Sequence, residues 1–434
     1  MHKKICFVSL GCDKNRVDLE VIINAFLKAG YILTSEEEAE VAVINTCAFL
    51  TESRKEAIEN ILDMAQRKQN NLQKLVVSGC LPNFEKLDEL KVLLPEVDLF
   101  VKVEDQPKIV SMVNALFNES TPSKNVYDVS ERKLTTLGSV AYLKICEGCS
   151  NGCSYCTIPK IRGKFRSRTI ESLVDEATKL AEAGIAELII VGQDITKYGI
   201  DLYKKPMLCE LLNKLTKLNF CWIRLLYCYP DGLSDELINL IANNEKICKY
   251  VDIPLQHVSD KILTSMRRKT SKAQIEEVIG KLRAANPHIA IRTTFIVGYP
   301  GETHKDFKEL AEFIKKQKIN NVGVFKYSRE PGTIAAGLKH QVPELIKAMR
   351  RKKLYKLQQN ILRLHQNNAI NKQYSCVCDD KLDGNVYLMR NQFNAPEIDY
   401  QIVVTPQDEL TIGEFYQVKI VDYFKDYLIG EIVE

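Results

Sequence analysis

From its N-terminus the chain exchanges short apolar runs rich in Val and Ile with longer stretches whose apolar positions recur every three or four residues, a pattern of strands alternating with amphipathic helices. In the first third, KKICFVSLGC, EVAVINTC and KLVVSGC are three such β-type runs. Each closes on a cysteine, Cys12, Cys47 and Cys80, at intervals of 35 and 33 residues. That interval fits a strand, a crossover helix and a return, and helical periodicity lies around Val17 to Leu27 and Glu56 to Ala65. VDLFVKV reads as a fourth strand and Pro107 to Phe117 as a closing helix. Repeated βαβ units make a parallel sheet whose strand C-termini share one edge, where open α/β sheets bind ligands, so the three cysteines converge there. Cysteines in strands are usually inert packing, as Cys6 is read here, but recurrence at one structural position sets these three apart.

From about Ser139 six further apolar runs follow, AYLKIC, ELIIVGQD, WIRLLYC, YVDIPLQH, IAIRTTFIVG and NNVGVFKYS, each with a helical stretch behind it. This predicts a partial (β/α)6 barrel, whose site gathers at the C-terminal ends of the strands. The residues there are the loop after the first run, Gln193 and Asp194, Gln256 and His257, Gly298 to Glu302, and Tyr327 with Ser328. The glycines of FIVGYPGE let backbone approach a ligand, and Glu302 can accept a hydrogen bond at the next helix start. Near the C-terminus, short alternating runs such as YQIVV, YQVKIV and LIGEIV predict a small β-barrel.

Composition adds limits. A chain of 434 residues with 45% hydrophobic and 27% charged residues and a net charge of +4 is long enough for two or three domains, with three expected. No apolar run reaches bilayer length, and MHKKICFVSLGC lacks the apolar length and the small-residue cleavage site of a signal peptide, which points to the cytoplasm. Fourteen cysteines in such a chain argue for metal or redox chemistry rather than a disulfide framework.

The loop after the first barrel run makes that chemistry specific. EGCSNGCSYC holds Cys149, Cys153 and Cys156 in a C-x-x-x-C-x-x-C spacing. Structural zinc prefers paired C-x-x-C elements, and no second pair is suitably placed. Three thiolates around a 4Fe-4S cluster leave one iron open to chelate another molecule. The string resembles the signature of radical S-adenosylmethionine (SAM) enzymes, in which the open iron binds SAM and an electron cleaves it to a deoxyadenosyl radical. In that setting Tyr155 either stacks on adenine or simply packs, and Arg292 is either a paired structural arginine or a clamp for the SAM carboxylate. Together with Gln193, Asp194 and Glu302 they form the candidate cofactor-binding set; no catalytic side chain is singled out. The basic run IPKIRGKFRSR lies close to this chemistry, and an acidic substrate could be drawn toward Lys160, Arg162, Lys164, Arg166 or Arg168. The second run, IKAMRRKKLYK, reads as a solvated helix face.

Taken in order, SLGCDKNRVD, INTC, SGCLP, EGCSNGCSYCTIP, RGKFRSR, GQDITKYG, RLLYCYPDG, DIPLQH, FIVGYPGET and FKYSREPGT resemble the methylthiotransferase family over the whole chain. The resemblance implies an N-terminal domain over 1–118, a radical SAM core over 135–365 and a TRAM domain over 367–434. It also implies two 4Fe-4S clusters and SAM as cofactors. Cys12, Cys47 and Cys80 would hold an auxiliary cluster from which sulfur is delivered, and Cys149, Cys153 and Cys156 the cluster that cleaves SAM. DKNRVD, DIPLQH and APEID resemble the branch that modifies the β-carbon of an aspartate in the twelfth protein of the small ribosomal subunit, more than the branch that modifies adenosine in transfer RNA. An electron donor and a sulfur donor are implied as partners. The chain departs from the branch pattern at Cys146, which we leave outside the ligand set because a fourth thiolate would close the open iron, and at Arg329-Glu330-Pro331, which mixes features of both branches.

Charge bears on the choice of substrate independently. Residues 374–434 carry four basic and twelve acidic side chains, a net of −8, so the rest of the chain carries +12. A domain of that sign should repel a phosphate backbone and attract a basic protein, so direct transfer-RNA binding is disfavoured and a ribosomal protein is the expected partner. The alternatives are a transfer-RNA adenosine methylthiotransferase on the same fold and a non-catalytic iron-sulfur protein that carries electrons or docks on the ribosome. The second needs a fourth ligand for each triad, which the sequence does not place.

Overall fold

The computed structural model describes residues 3–119, 126–136 and 138–433. The chain divides into two compact units, one of residues 1–135 with 147–150 and 156–166, the other of 136–146, 151–155 and 167–434.

In the first unit the strands Ile32–Leu33, Lys4–Ser9, Val41–Thr46, Lys74–Gly79 and Leu99–Lys102 lie side by side in that order, all parallel. The three cysteine-terminated runs are its three central strands. Period-two alternation explains why Val41–Thr46 is buried on both faces. Val41 and Val43 pack with Ile22, Phe26 and Val113 of the helices Asp13–Lys28 and Ile109–Ala115, while Ala42 and Ile44 pack with Ala57, Ile61 and Met64 of the helix Thr51–Gln66. Each fully buried Ile or Phe here contributes about 1.5–3 kcal/mol. Cys6 sits in this core, and burial pushes its thiol up to about 11. Periodicity did not reveal the two-residue strand Ile32–Leu33 or the short helices Cys80–Phe84 and Leu87–Leu93.

The second unit contains the six barrel runs as six parallel strands in chain order: Val140–Lys144, Glu187–Val191, Trp222–Leu225, Ile247–Gln256, Ala290–Val297 and Asn321–Lys326. Sequential parallel pairing through helical crossovers is the half-barrel the pattern predicted. Behind it the 26-residue helix Glu344–Ala369 leads into a closed barrel of Gln373–Lys381, Tyr387–Asn391, Ile402–Val404, Tyr427–Ile432 and Phe415–Phe424. This small barrel packs on the edge where the strands of the half-barrel begin. Glu187, the first residue of its strand, accepts from Arg224 Nε at 2.6 Å and is paired with Arg390 Nη2 at 2.7 Å; Arg390 in turn holds Asp379 bidentately at 2.6 and 2.9 Å. Two arginines and two carboxylates balance, which is what permits Glu187, Arg224 and Arg390 to be fully buried. Trp222 meets Phe415 edge to face at 4.7 Å. These contacts merge the two regions into one unit despite the expected boundary near residue 366. No helix among the described residues is long and apolar enough to cross a membrane.

Candidate metal centres

The N-terminal triad is assembled by the sheet. Cys12 occupies the N-cap of the helix Asp13–Lys28, Cys47 follows the strand Val41–Thr46, and Cys80 opens a short helix. Gly11, at φ +108°, makes the first turn; a Cβ there would stand 2.9 Å from Cys47 Cβ. Gly79 is equally constrained, since a Cβ would stand 2.5 Å from Asn45 Oδ1 and 2.7 Å from Thr46 O. Asn15 ties the edge together, donating from Nδ2 to the carbonyls of Leu10 and Thr46, both at 2.9 Å, while its Oδ1 accepts from Cys80 Sγ at 3.4 Å. Burial pushes Cys80 up to about 11 and raises Cys47, and each thiol feels the charge of Cys12.

Arg162 closes this site from beneath. Its Nη2 donates to Cys80 Sγ at 3.4 Å and also bonds Asn15 Oδ1, and its Nη1 pairs with Asp18 at 2.6 Å and Glu147 at 3.1 Å. The sequence reading placed Arg162 among residues able to attract an acidic substrate. Instead it is buried and its charge is consumed by two carboxylates. Arg168 is likewise occupied, by Glu176 and Ser172, and Lys160 lies 3.8 Å from the centroid of the Phe84 ring.

The second triad lies on one loop before the helix Ile158–Arg162. Gly148 starts it at φ +74°, where a Cβ would sit 2.3 Å from Lys164 O, and Cys149 N donates to Gly163 O at 3.1 Å. Cys156 Sγ accepts from Ile158 N at 3.4 Å. Ser154 is bonded to the carbonyls of Met266 and Ser265 and to Tyr299 Oη. Cys153 receives Arg268, whose Nη1 donates to Sγ at 3.8 Å. Cys146 points away: its Sγ bonds Asp194 O at 3.8 Å and occupies the space above Gly192, where a Cβ would meet it at 2.4 Å. No group of three His, Cys, Asp or Glu among the described residues is drawn tightly enough for a single metal ion. A cubane asks less of its thiolates, because each binds a different iron.

The remaining candidates separate into two groups. Asp194, at the strand end, accepts from Asn151 of the cysteine loop at 2.8 Å and from Thr196, so it anchors that loop; Gln193 lies beside it, half-buried. Tyr155 packs against Ile262, Met266, Tyr299, Tyr327 and Ala335. Glu302 is buried, with Oε2 accepting from the amides of Gly298 and Tyr299 and Oε1 paired with Arg350 at 3.2 Å. Burial pushes its carboxyl up to about 7. It staples the glycine turn; the following helix is capped by Thr303 and Asp306 instead. His257, fully buried beside Asp306 and Arg350, accepts from Ser259 N and is held down to about 4 by burial.

Arg292 stands apart. It lies near the start of its strand, bonded to Asp252 at 3.0 Å and paired with Asp399 of the small barrel at 3.5 Å. The structure therefore gives it the paired structural role and does not bring it to the edge that carries Asp194 and Glu302. Sequence reading missed Arg268, Tyr229 and Asn15. The run MRRKT holds the only hint of the first, and nothing in it distinguishes Arg268 from exposed Arg267.

Family models match three regions: the radical SAM superfamily over residues 143–314, uncharacterized protein family UPF0004 over 4–102, and the TRAM domain over 370–433. The chain is 44% identical over 434 residues to ribosomal protein uS12 methylthiotransferase RimO of Clostridium tetani, covering 98% of this chain and 97% of that one. It is 42% identical to the protein of that name from Caldicellulosiruptor saccharolyticus, over 99% of this chain and all of that one. The chain belongs to the RimO family of methylthiotransferases. Within this family it is a radical SAM enzyme, with SAM and 4Fe-4S clusters as cofactors. The fold also matches radical SAM methyltransferase TsrM from Kitasatospora setae, solved with cobalamin and a [4Fe-4S] cluster, at a TM-score of 0.59 and 14% identity over 77% of each chain. OxsB, a cobalamin-dependent SAM radical enzyme, matches at a TM-score of 0.52 and 11% identity over 82% of this chain and 56% of that one. Both likenesses concern the fold.

Proposed function

We propose that this enzyme installs a methylthio group on the β-carbon of an aspartate in ribosomal protein uS12. The observation that carries the reading is full-length identity above 40% to uS12 methylthiotransferases in a chain that keeps two separate cysteine triads. In this reading Cys149, Cys153 and Cys156 hold the cluster that cleaves SAM, and Cys12, Cys47 and Cys80 hold the auxiliary cluster that delivers sulfur. The donor sets suit this use, since each triad includes a buried thiol that accepts a hydrogen bond from a guanidinium.

When bound, SAM and the clusters supply the radical, the methyl group and the sulfur. The chain's own residues supply position. Asp194 through Asn151, and Tyr299 through Ser154, hold the cysteine loop; Glu302 fixes the glycine turn beside it; and the apolar cluster around Tyr155 excludes water. The proposed domains are those read from the sequence, 1–118, 135–365 and 367–434, acting with an electron donor and a sulfur donor in the cytoplasm. The acidic small barrel favours a basic protein over transfer RNA. Asp399, however, is buried and paired to Arg292 and Tyr250, so it is not among the acids that face a partner.

Mass spectrometry of uS12 and of bulk transfer RNA from a deletion strain tests the reading. Loss of a methylthio group from uS12 alone is the expected result; loss from transfer RNA with uS12 unchanged would replace it with the adenosine-modifying alternative.

A further inference from the structure

We propose that Arg268 is a positioning residue for the SAM-cleaving cluster, one whose uncompensated positive charge at Cys153 makes the reduced state of that cluster easier to reach. The inference rests on the assignment of Cys149, Cys153 and Cys156 to a 4Fe-4S cluster.

Three contacts fix the guanidinium. Nη1 donates to Cys153 Sγ at 3.8 Å, Nη2 donates to Pro254 O at 2.7 Å, and the group lies 4.2 Å from the centroid of the Tyr229 ring. The residue is only 8% exposed, so solvent screens it poorly. Among the described residues no carboxylate comes within the 4.0 Å of an ion pair with it. A small pocket beside it, of about 10 Å³, is lined by Cys153, Arg267, Lys269 and Asp231, so cations outnumber acids there too. Arg162 is the internal control. It makes the same kind of contact to Cys80, yet Asp18 and Glu147 over-balance its charge.

Reduction of a cluster adds negative charge that spreads onto its ligand sulfurs. An N–H donor and a fixed cation at one of them stabilise that state more than the oxidised one, which raises the potential. The electron balance is simple: a low-potential one-electron reductant is oxidised as the cluster passes from the 2+ to the 1+ state. No SAM is needed for the effect.

The test is a reductive titration with titanium(III) citrate, followed by electron paramagnetic resonance, on full-length reconstituted protein in which Cys12, Cys47 and Cys80 are alanine. Without SAM, Arg268→Met should lower the reduced fraction at fixed potential at least tenfold, a shift of about 59 mV for a one-electron couple. Arg268→Lys should return it toward the parent value, and Asp231→Asn, which leaves Cys153 and Arg268 in place, should shift it the opposite way. Absence of a shift in Arg268→Met at full iron content, or a shift that needs SAM, would overturn the proposal. If Arg268→Met does not assemble its cluster, Arg268→Gln, which keeps an N–H donor but loses the charge, takes its place, and an unmoved potential in that variant would overturn the proposal as well. A parent protein that binds no cluster would instead defeat the assignment of the loop.

Discussion

The two cysteine triads reach similar ends by opposite routes. Cys149, Cys153 and Cys156 lie within eight residues of each other, so a single loop pinned by Ser154, Asn151 and Gly148 suffices to place them. Cys12, Cys47 and Cys80 come together only when three parallel strands are paired in register, with Gly11 and Gly79 admitting the close backbone contacts and Asn15 bridging the strand ends. A local site depends on its loop; a non-local one depends on the whole domain. The same contrast extends to charge, since the guanidinium at Cys80 is neutralised by two carboxylates and the one at Cys153 is not.

Iron content should break the comparison most visibly. Two four-iron clusters give about eight irons per chain after anaerobic reconstitution, and removing either triad should leave about four. Full iron after replacement of Cys149, Cys153 and Cys156 by alanine would end the cluster assignment for that loop.

Stability should then distinguish the two arginines. Arg162→Met strands Asp18 beside Glu147 in a buried site, which costs about 3–5 kcal/mol. Arg268→Met leaves chiefly the Pro254 carbonyl without its donor, which costs about 1–3 kcal/mol. Denaturant unfolding of the two apo variants, compared at one pH, measures the gap; equal losses would show that the neutralised and uncompensated environments do not differ in the way described.

The smallest effect concerns the strand-end loops around the second triad. Glu302 is raised from 4.5 to about 7, so its contribution to stability is present below pH 4.5 and is lost as pH rises toward 7. His257 is lowered from 6.5 to about 4, so its contribution is present above pH 6.5 and is lost as pH falls toward 4. The two slopes oppose each other over nearly the same window. Relative to wild type, Glu302→Gln should therefore gain stability as pH rises from 4.5 to 7, and His257→Asn should gain as pH falls from 6.5 to 4. Parallel pH profiles for all three proteins would contradict the buried environments assigned to these groups.

Much of this was legible in the chain. Strand runs that end on cysteine, and six further runs in order, gave the sheets because apolar periodicity is a local record of burial. The cysteines could be grouped because their spacing matches a loop in one case and a βαβ repeat in the other. Charges were the opaque part. Arg162, Arg168 and Arg292 all looked available for substrate or cofactor, yet Arg162 and Arg292 are paired to acids distant in sequence and Arg168 to Glu176 on the following helix. A basic residue in a run carries no mark of the acid it will meet, and Arg268 looks like Arg267 until a strand-end carbonyl and a cysteine thiol are placed beside it. Glu302 was read as a helix-start acceptor because it precedes one, but Thr303 and Asp306 form the capping box and free it to hold the turn.

The central claim is that the triads have separate tasks, and one assay tests it most directly. Reduced, reconstituted protein carrying alanine at Cys12, Cys47 and Cys80 is incubated with SAM and uS12, and deoxyadenosine and methylthiolated uS12 are both quantified. The account predicts that deoxyadenosine still forms while no methylthio group is transferred. Methylthiolation that persists without the N-terminal triad would contradict it.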